Sequence, residues 1–313
     1  MKLLTVFNIC QKDRDNCNDY IESIRSILDQ NLEGTDIENK VVVSAVRNSD
    51  TCLRRLRSEF GDKIDIIYYG EIWTVNITFN KTIQEVIKRF GGIFSGYVYI
   101  DSGVTLIDRN VIKTMGELLK TDLYSMITIQ TDNDNGFAGW LGFDLVIDQD
   151  FTIPVGRACN LHCQLFSNEL FEAYGGRAMP DVFAAYCTES VFSFMNSAIH
   201  KKWVVAKDII VRHHHGLDGG SMYFDKSSSK FGNSWNNLLF GRNALDFIND
   251  PEARDAGLGY EEINGVMIHK GDMYEYDVFS KDQDRLKRAI LKYLFSNPGE
   301  LDYSNITCTY NTW

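Results

Sequence analysis

Short apolar runs recur through the first hundred residues and predict β-strands. They cover residues 3–9, 41–46, 64–69 and 97–100. The runs are continuous rather than alternating, which is typical of strands that are buried on both faces of a sheet. Polar or small residues follow each run, so we expect each strand to end there.

Segments with helical periodicity separate these strands. Apolar spacing predicts a helix over 20–28, a basic helix over 53–60 and a third over 78–90 that ends at Gly91-Gly92. Strands separated by helices of this length predict an α/β fold with a mixed, mostly parallel sheet and helices on both faces. Ligands of such sheets bind beyond the carboxyl ends of the strands, so the residues after each strand are the first candidates for a site.

The second half of the chain is less regular. One predicted helix ends at Gly175-Gly176, and the small, polar residues over 216–234 are placed to act as a lid. The remaining predictions are strands over 126–131, 140–147 and 203–211, and helices over 164–174, 189–200, 235–248 and 282–295.

Composition limits the classes of function. The chain has 313 residues, of which 44% are hydrophobic and 24% charged, and its formal net charge is −11. This balance is that of a globular protein and excludes wholesale disorder. An acidic surface disfavours general affinity for polyanions, so we expect no nucleic-acid partner. A ligand that carries phosphate would need a local basic pocket or a metal.

Membrane insertion and disulfide cross-linking are not indicated. No apolar stretch approaches the roughly 20 residues of a membrane helix, so no transmembrane segment is expected. The 7 cysteines are odd in number and scattered, which favours a reducing, cytoplasmic location. Cys159, His162 and Cys163 lie close in sequence, but a structural zinc site needs a fourth ligand, so ordinary half-buried cysteines are the favoured interpretation.

A carboxylate directly follows the fourth predicted strand, in Asp101-Ser102-Gly103. Facing a crevice, it could bind a hard divalent cation or a ribose hydroxyl. The commoner role for an isolated motif of this kind is to cap a helix or stabilise a turn.

Three of the six histidines stand together as His213-His214-His215, just after a predicted strand. Adjacent side chains of an extended segment alternate, so at most two of them share a face. One facing the crevice could bind a metal or a phosphate, and the alternative is a polar strand end at the surface.

Glu189 begins a predicted amphipathic helix that follows the two glycines. An acid in the first turn of a helix is expected from the helix dipole alone. Beside the crevice, the same carboxylate could act as a general base.

Several of these features follow one another at intervals typical of one family. They are, in order, Asn8, Asn48-Ser49-Asp50, Asn80-Lys81, Asp101-Ser102-Gly103, Gly175-Gly176, Glu189 and His213-His214-His215. This order resembles a GT-A glycosyltransferase of the broad family-2-like group. The resemblance implies a Rossmann-like catalytic domain over 1–216, which leaves a mainly helical C-terminal extension over 217–313.

The resemblance also implies roles for individual residues. The donor would be a nucleoside-diphosphate sugar, expected to be UDP-linked, and the acceptor a hydroxyl of a glycan or another molecule. Donor contacts would come from Asn8, Asn48, Asp50, Asn80, Lys81, Asp101 and Gly103. Asp101 with His213 or His215 would hold Mn²⁺ or Mg²⁺. Glu189 would deprotonate the acceptor in an inverting reaction, with Asp181 as the alternative base.

The sequence departs from that family at one position. Gly103 stands where the second aspartate of the Asp-x-Asp motif is expected. Either Asp101 and a histidine hold the cation with water, or the metal is weakly bound or not needed. A retaining glycosyltransferase and a non-catalytic binding protein of the same fold are the alternatives. A nucleotidyltransferase is disfavoured because residues 11–15 contain no glycine.

Overall fold

The computed structural model describes residues 1–10, 17–46, 48–70, 75–132, 145–147, 162–179, 195–196, 199–214, 260–263, 266–269 and 308–310. The strands in these residues, numbered in chain order, are β1 Lys2–Cys10, β2 Glu38–Val46, β3 Asp65–Tyr69, β4 Gly96–Ile100, β5 Val104–Thr105, β6 Tyr124–Thr131, β7 Leu145–Ile147, β8 Cys163–Ser167, β9 Lys202–His213, β10 Tyr260–Ile263, β11 Val266–His269 and β12 Cys308–Tyr310. The α-helices are α1 Cys17–Leu28, α2 Asp50–Phe60, α3 Val75–Phe90, α4 Val111–Lys120 and α5 Asn168–Ala173.

One long mixed sheet organises the molecule, with strand order β12-β3-β2-β1-β4-β8-β6-β9-β5. The strands β3, β2, β1 and β4 run parallel to one another, and β6 runs parallel to β9. Strand β8 lies antiparallel between β4 and β6 and joins the two parallel parts. The prediction of a mixed, mostly parallel sheet is confirmed.

Helices cover both faces of this sheet, as predicted. On one face, alternate residues of β1 pack with α1, α2 and α4 in a single apolar cluster, in which Phe7, Ile24 and Leu56 are buried. On the other face, α3 places Phe79 against Tyr99, with ring centroids 5.4 Å apart. Since burial of an aromatic side chain stabilises a fold by about 1.5–3 kcal/mol, these contacts fix α3 to the sheet.

The helix predicted over 164–174 is wrong in its first half. Residues Cys163–Ser167 form β8, in which every residue is buried. The helix α5 begins only after Ser167, whose side chain caps it by accepting the backbone N–H of Leu170. A short apolar run inside a sheet cannot be told from a buried helix by periodicity alone, and pairing on both sides decided the conformation.

The helix stop at Gly175-Gly176 was placed correctly. The two glycines have φ angles of 64° and 84°, in the left-handed region that side chains other than glycine rarely adopt. Strand β5 and helix α4 lie in a part of the chain for which the sequence predicted no element.

Much of the C-terminal third lies outside the described residues. This includes the proposed lid over 216–234 and the helices predicted over 235–248 and 282–295. The described parts are a hairpin of β10 and β11 and the strand β12, which pairs antiparallel with β3 at the edge of the main sheet. The division into domains over 1–216 and 217–313 stays a prediction. No helix in the described ranges is both long and apolar enough to cross a membrane.

Candidate active site

Asp101 lies at the carboxyl end of β4 in a turn held by backbone hydrogen bonds. Its Oδ1 accepts the N–H of Ser102 at 2.8 Å, and its own N–H donates to the His162 carbonyl at 2.9 Å. The Val104 N–H donates to the Asp101 carbonyl at 3.1 Å. The backbone of Asp101 is therefore fixed, and 30% of its side-chain surface stays exposed.

Two imidazole rings lie beside this carboxylate. The Nδ1 of His162 is 3.3 Å from Asp101 Oδ2, and the ring of His162 stacks on that of His213 with centroids 3.8 Å apart. His162 reaches this place because β8 runs antiparallel to β4, which pairs Cys163 with Ile100. The stack joins groups that are 51 residues apart in the chain, so only the tertiary structure reveals it.

Burial and the two imidazoles shift the pKa of the Asp101 carboxyl in opposite directions. Burial by itself would raise the pKa of Asp101, but the hydrogen bond with His162, the charge of that ring and the Ser102 N–H lower it. A smaller lowering comes from His213. The net effect places the pKa of Asp101 below its ordinary value, so the group is an anion at neutral pH and suits a cation or a hydroxyl donor.

His213 is anchored at the end of β9 by three neighbouring elements. The residue is 3% exposed and pairs with Val104 of β5. Its N–H donates to Oδ1 of Asp132 at 3.0 Å, and the next N–H, from His214, donates to the Gly103 carbonyl at 2.8 Å. The structure therefore brings Asp101, Gly103 and His213 together, and the roles that the resemblance implied for them stay predictions.

Gly103 has little room for a side chain. A Cβ atom built there would lie 3.1 Å from both Cδ2 and Nε2 of His213. The imidazole of His213 thus occupies the space into which the second aspartate of an Asp-x-Asp motif would project.

Buried amides lie at the carboxyl ends of β1 and β2. Asn8 is 7% exposed and Asn48 3% exposed. The side-chain nitrogen and oxygen of both have no hydrogen-bond partner among the described residues, and the same is true of the Ser44 hydroxyl, whose residue pairs with Asn8. Leaving such groups unpaired costs about 1–3 kcal/mol each, so they are expected to bind water or a ligand.

Three other residues that the sequence predicted to contact the donor lie on α2 and α3. Asp50 is exposed in the first turn of α2, which Ser49 caps by accepting the Cys52 N–H at 3.2 Å. Lys81 forms an ion pair with Glu85 at 3.1 Å, one turn along α3. Asn80 is fully buried and hydrogen-bonds to the backbone of residues 178–179.

The two candidate bases and one candidate ligand fall outside the described residues. These are Asp181, Glu189 and His215. Of the helix predicted over 189–200, Met195 and Asn196 are described as helical. The roles assigned to these side chains stay predictions.

The sequence predicts no place for His162 beside Asp101. Its pattern offers this residue only as a weak zinc ligand beside Cys159 and Cys163. Cys163 is fully buried in the apolar cluster on one face of the sheet, and burial raises the pKa of its thiol, so it is unsuited to bind metal. Because the sequence predicts a helix over 164–174, where β8 lies, it gives no sign that His162 reaches Asp101.

The side chains around Asp101 supply part of a ligand set for a divalent cation. Within the described ranges, no group of three or more His, Cys, Asp or Glu side chains is arranged as a complete metal site. A carboxylate and an imidazole at one crevice are nevertheless ligands that first-row divalent ions accept. Asp101 and His213 therefore fit an incomplete set that a substrate and water would complete.

Comparisons with solved structures identify the fold. The mannosyltransferase PcManGT from Pyrobaculum calidifontis, in complex with GDP-Man and Mn²⁺, matches 94% of this chain and 87% of its own at 13% identity and a TM-score of 0.50. Residues 1–349 of TarS from S. aureus, in complex with UDP, match 100% of this chain and 97% of that chain at 13% identity and a TM-score of 0.53.

A longer TarS structure gives the same result. It matches 94% of this chain at 12% identity and a TM-score of 0.50, and this chain spans 55% of its length. No protein-family model and no curated protein matches the sequence. The chain thus has a GT-A-like glycosyltransferase fold, as the order of its motifs implied.

Proposed function

We propose that this protein is a glycosyltransferase that moves a sugar from a nucleoside-diphosphate donor to a hydroxyl acceptor. The observation that carries the proposal is the grouping of Asp101, His162 and His213 at the carboxyl edge of the sheet, where such folds bind ligands. The similarity to structures with bound GDP-Man and UDP supports a nucleotide-sugar donor.

The buried amides support a nucleotide subsite next to this group. Asn8 and Asn48 each offer a donor and an acceptor that the described residues leave unpaired. A nucleobase presents complementary donors and acceptors, so binding it would satisfy these groups. We assign the donor to the UDP-linked class, with GDP-linked sugars as the competing class that the test below separates.

The diphosphate requires a positive partner on a chain with a net charge of −11. Asp101 and His213 would hold a divalent cation, Mn²⁺ or Mg²⁺, together with phosphate oxygens and water. Bound there, the cation would neutralise the charge that develops on the departing nucleoside diphosphate. His162 would keep the Asp101 carboxylate ionised and oriented.

An acceptor hydroxyl needs a base, and Glu189 is the proposed one, with Asp181 as the alternative. A carboxylate in this role typically contributes about 10²–10⁴-fold to the rate. A base on the acceptor side is consistent with an inverting reaction.

Calorimetry with UDP and GDP, each with and without Mn²⁺, tests the proposal. We expect UDP to bind the wild type in the presence of Mn²⁺, and Asp101→Asn to weaken that binding at least about tenfold, or about 1.4 kcal/mol. Asp36→Asn is the matched control, because Asp36 is an acid paired with Lys120 just before the amino end of β2, whereas Asp101 follows the carboxyl end of β4.

The outcomes separate the candidate functions. Absence of nucleotide binding by the wild type would contradict the proposal. Binding without consumption of UDP- or GDP-sugars, even with hydroxyl acceptors present, would instead favour a non-catalytic binding protein of the same fold.

A further inference from the structure

His214, the middle residue of the histidine run, binds the segment that follows Asp101. The ring of His213 stacks on His162 beside Asp101, and side chains alternate along an extended chain, so the ring of His214 points to the other side. There its Nε2 lies 3.0 Å from the Thr105 hydroxyl of β5. The backbone N–H of His214 donates to the Gly103 carbonyl at 2.8 Å. This one residue therefore contacts both ends of the segment 103–105.

The contact with Thr105 continues into helix α1. The Thr105 hydroxyl is 3.2 Å from that of Ser23, which is within hydrogen-bond distance. One residue further along, the Leu106 N–H donates to Ser26 Oγ at 3.0 Å. Ser23 is 1% exposed and Thr105 7%, so these bonds are costly to break. The end of β9 is thus connected to α1 through the side chains of β5.

Strand β5 depends on such side-chain contacts because it is short. It consists of Val104 and Thr105, lies at the end of the sheet order, and pairs with β9. Local stability follows the number of buried contacts and backbone hydrogen bonds, and a two-residue edge strand has few of either. The bond between His214 and Thr105 therefore contributes much of what holds β5 against β9.

The position of β5 fixes two groups of the candidate active site at once. The Val104 N–H donates to the Asp101 carbonyl at 3.1 Å and so closes the turn that carries the carboxylate. Val104 is also the residue that pairs with His213. A shift of β5 relative to β9 would therefore change the separation between the Asp101 carboxylate and the His213 ring.

We propose that His214 is a positioning residue for the cation site: through Thr105 it sets the separation of Asp101 and His213. The inference rests on the proposed function, in which these two side chains would hold Mn²⁺ or Mg²⁺ with the diphosphate. The predicted ligands of the histidine run are His213 and His215, so this role of His214 is separate from ligand binding.

Calorimetry of the full chain with UDP, with and without Mn²⁺, tests the inference. In His214→Ala and in Thr105→Val we expect the affinity for UDP with Mn²⁺ to fall about tenfold, or about 1.4 kcal/mol. The affinity without Mn²⁺ should stay within about twofold of the wild type, because the nucleotide contacts at β1 and β2 are untouched. Both variants break the same contact, so the double variant should lose no more than either single one.

Two further variants grade and control the effect. His214→Gln keeps a side-chain amide that can bond to the Thr105 hydroxyl, so it should retain most of the affinity for UDP with Mn²⁺. Thr128→Val is the matched control: Thr128 is a buried threonine of β6, and its hydroxyl accepts the Trp203 indole N–H at 2.8 Å. This control removes a bond of the same kind away from β5 and should leave both affinities unchanged.

Hydrogen exchange of the Val104 amide measures the attachment of β5 without any ligand. This amide should exchange at least about tenfold faster in His214→Ala and in Thr105→Val, because β5 is then held less firmly. Its exchange in Thr128→Val should equal that of the wild type.

Unchanged UDP affinity with Mn²⁺ in Thr105→Val would overturn the inference, and so would an equal loss in Thr128→Val. A loss confined to His214→Ala would show that His214 contacts the ligand itself, which also overturns it. So would a wild type that binds UDP equally well with and without Mn²⁺. A wild type that binds no nucleotide would instead contradict the proposed function, and exchange at Val104 would then decide whether His214 holds β5.

Discussion

The ring of His213 lies where a side chain at Gly103 would project, 3.1 Å from a Cβ atom built on that glycine. The glycine and the histidine are therefore linked: the small residue at 103 makes room for the imidazole. The sequence lacks the second aspartate of an Asp-x-Asp motif at this position, and in the structure an imidazole lies in the space that such a side chain would enter.

Restoring the aspartate should accordingly not improve the site. We expect Gly103→Asp to lower the free energy of unfolding by about 1–3 kcal/mol, because the new side chain overpacks against the ring. It should also weaken binding of UDP with Mn²⁺. Thermal unfolding and calorimetry measure the two effects, and Gly103→Asp combined with His213→Ala should recover part of the stability. Tighter binding of UDP with Mn²⁺ in Gly103→Asp alone would contradict this account.

We expect Asn8 to lower the stability of the free protein and to strengthen the binding of nucleotide. Its unpartnered amide is a cost in the free protein, so Asn8→Leu, of similar branched shape, should raise the free energy of unfolding by about 1–2 kcal/mol. The same variant should weaken UDP binding about tenfold, since it would lose the contact that we propose between Asn8 and the nucleobase. Chemical denaturation without ligand and calorimetry with UDP check both effects.

Thr5→Val is the control for that experiment. Thr5 is buried on the same strand, but its hydroxyl donates to Asn39 Oδ1 at 2.7 Å. Removing this satisfied bond should lower stability by about 1 kcal/mol and leave UDP binding unchanged. Destabilisation of Asn8→Leu to the same extent would show that the Asn8 amide is satisfied in solution.

We expect the packing of Phe79 against the sheet to contribute several kcal/mol to the free energy of unfolding. It is fully buried between Tyr99 and Phe166, at centroid distances of 5.4 Å and 5.7 Å. Phe79→Ala should cost about 3–5 kcal/mol in the free energy of unfolding, measured with urea. Phe90→Ala on the same helix is the control, because that ring is 44% exposed and should cost less than about 1 kcal/mol. Equal losses would contradict the assignment of Phe79 to the core.

Acid should weaken the fold partly through Asp101. Because the pKa of Asp101 is lowered in the folded protein, its ionised form stabilises the fold above the ordinary carboxyl pKa. That contribution is lost as the pH falls through the lowered pKa. Urea unfolding below about pH 5 should therefore show a steeper fall of stability in the wild type than in Asp101→Asn. Parallel pH dependences of the two proteins would contradict the interaction of Asp101 with His162.

The amino-terminal half of the fold could be predicted from the sequence because its signals are local. Buried strands are continuous apolar runs, the helices carry one apolar stripe, and Gly91-Gly92 supplies the left-handed turn that ends α3. The rule that ligands bind at the carboxyl ends of parallel strands then pointed to Asn8, Asn48 and Asp101 without knowledge of any contact.

Only the tertiary structure decided which residues meet there. The strand β8 looks like a helix in sequence, and it becomes a strand because β4 and β6 pair with it on both sides. That pairing carries His162 to Asp101, as the pairing of β5 with β9 carries His213 to Gly103. The tertiary structure likewise brings Asn80 of α3 to the backbone at 178–179, to which its side chain hydrogen-bonds. Periodicity indicates which face of an element is buried. Which other element pairs with it depends on long-range contacts, and the local sequence does not specify these.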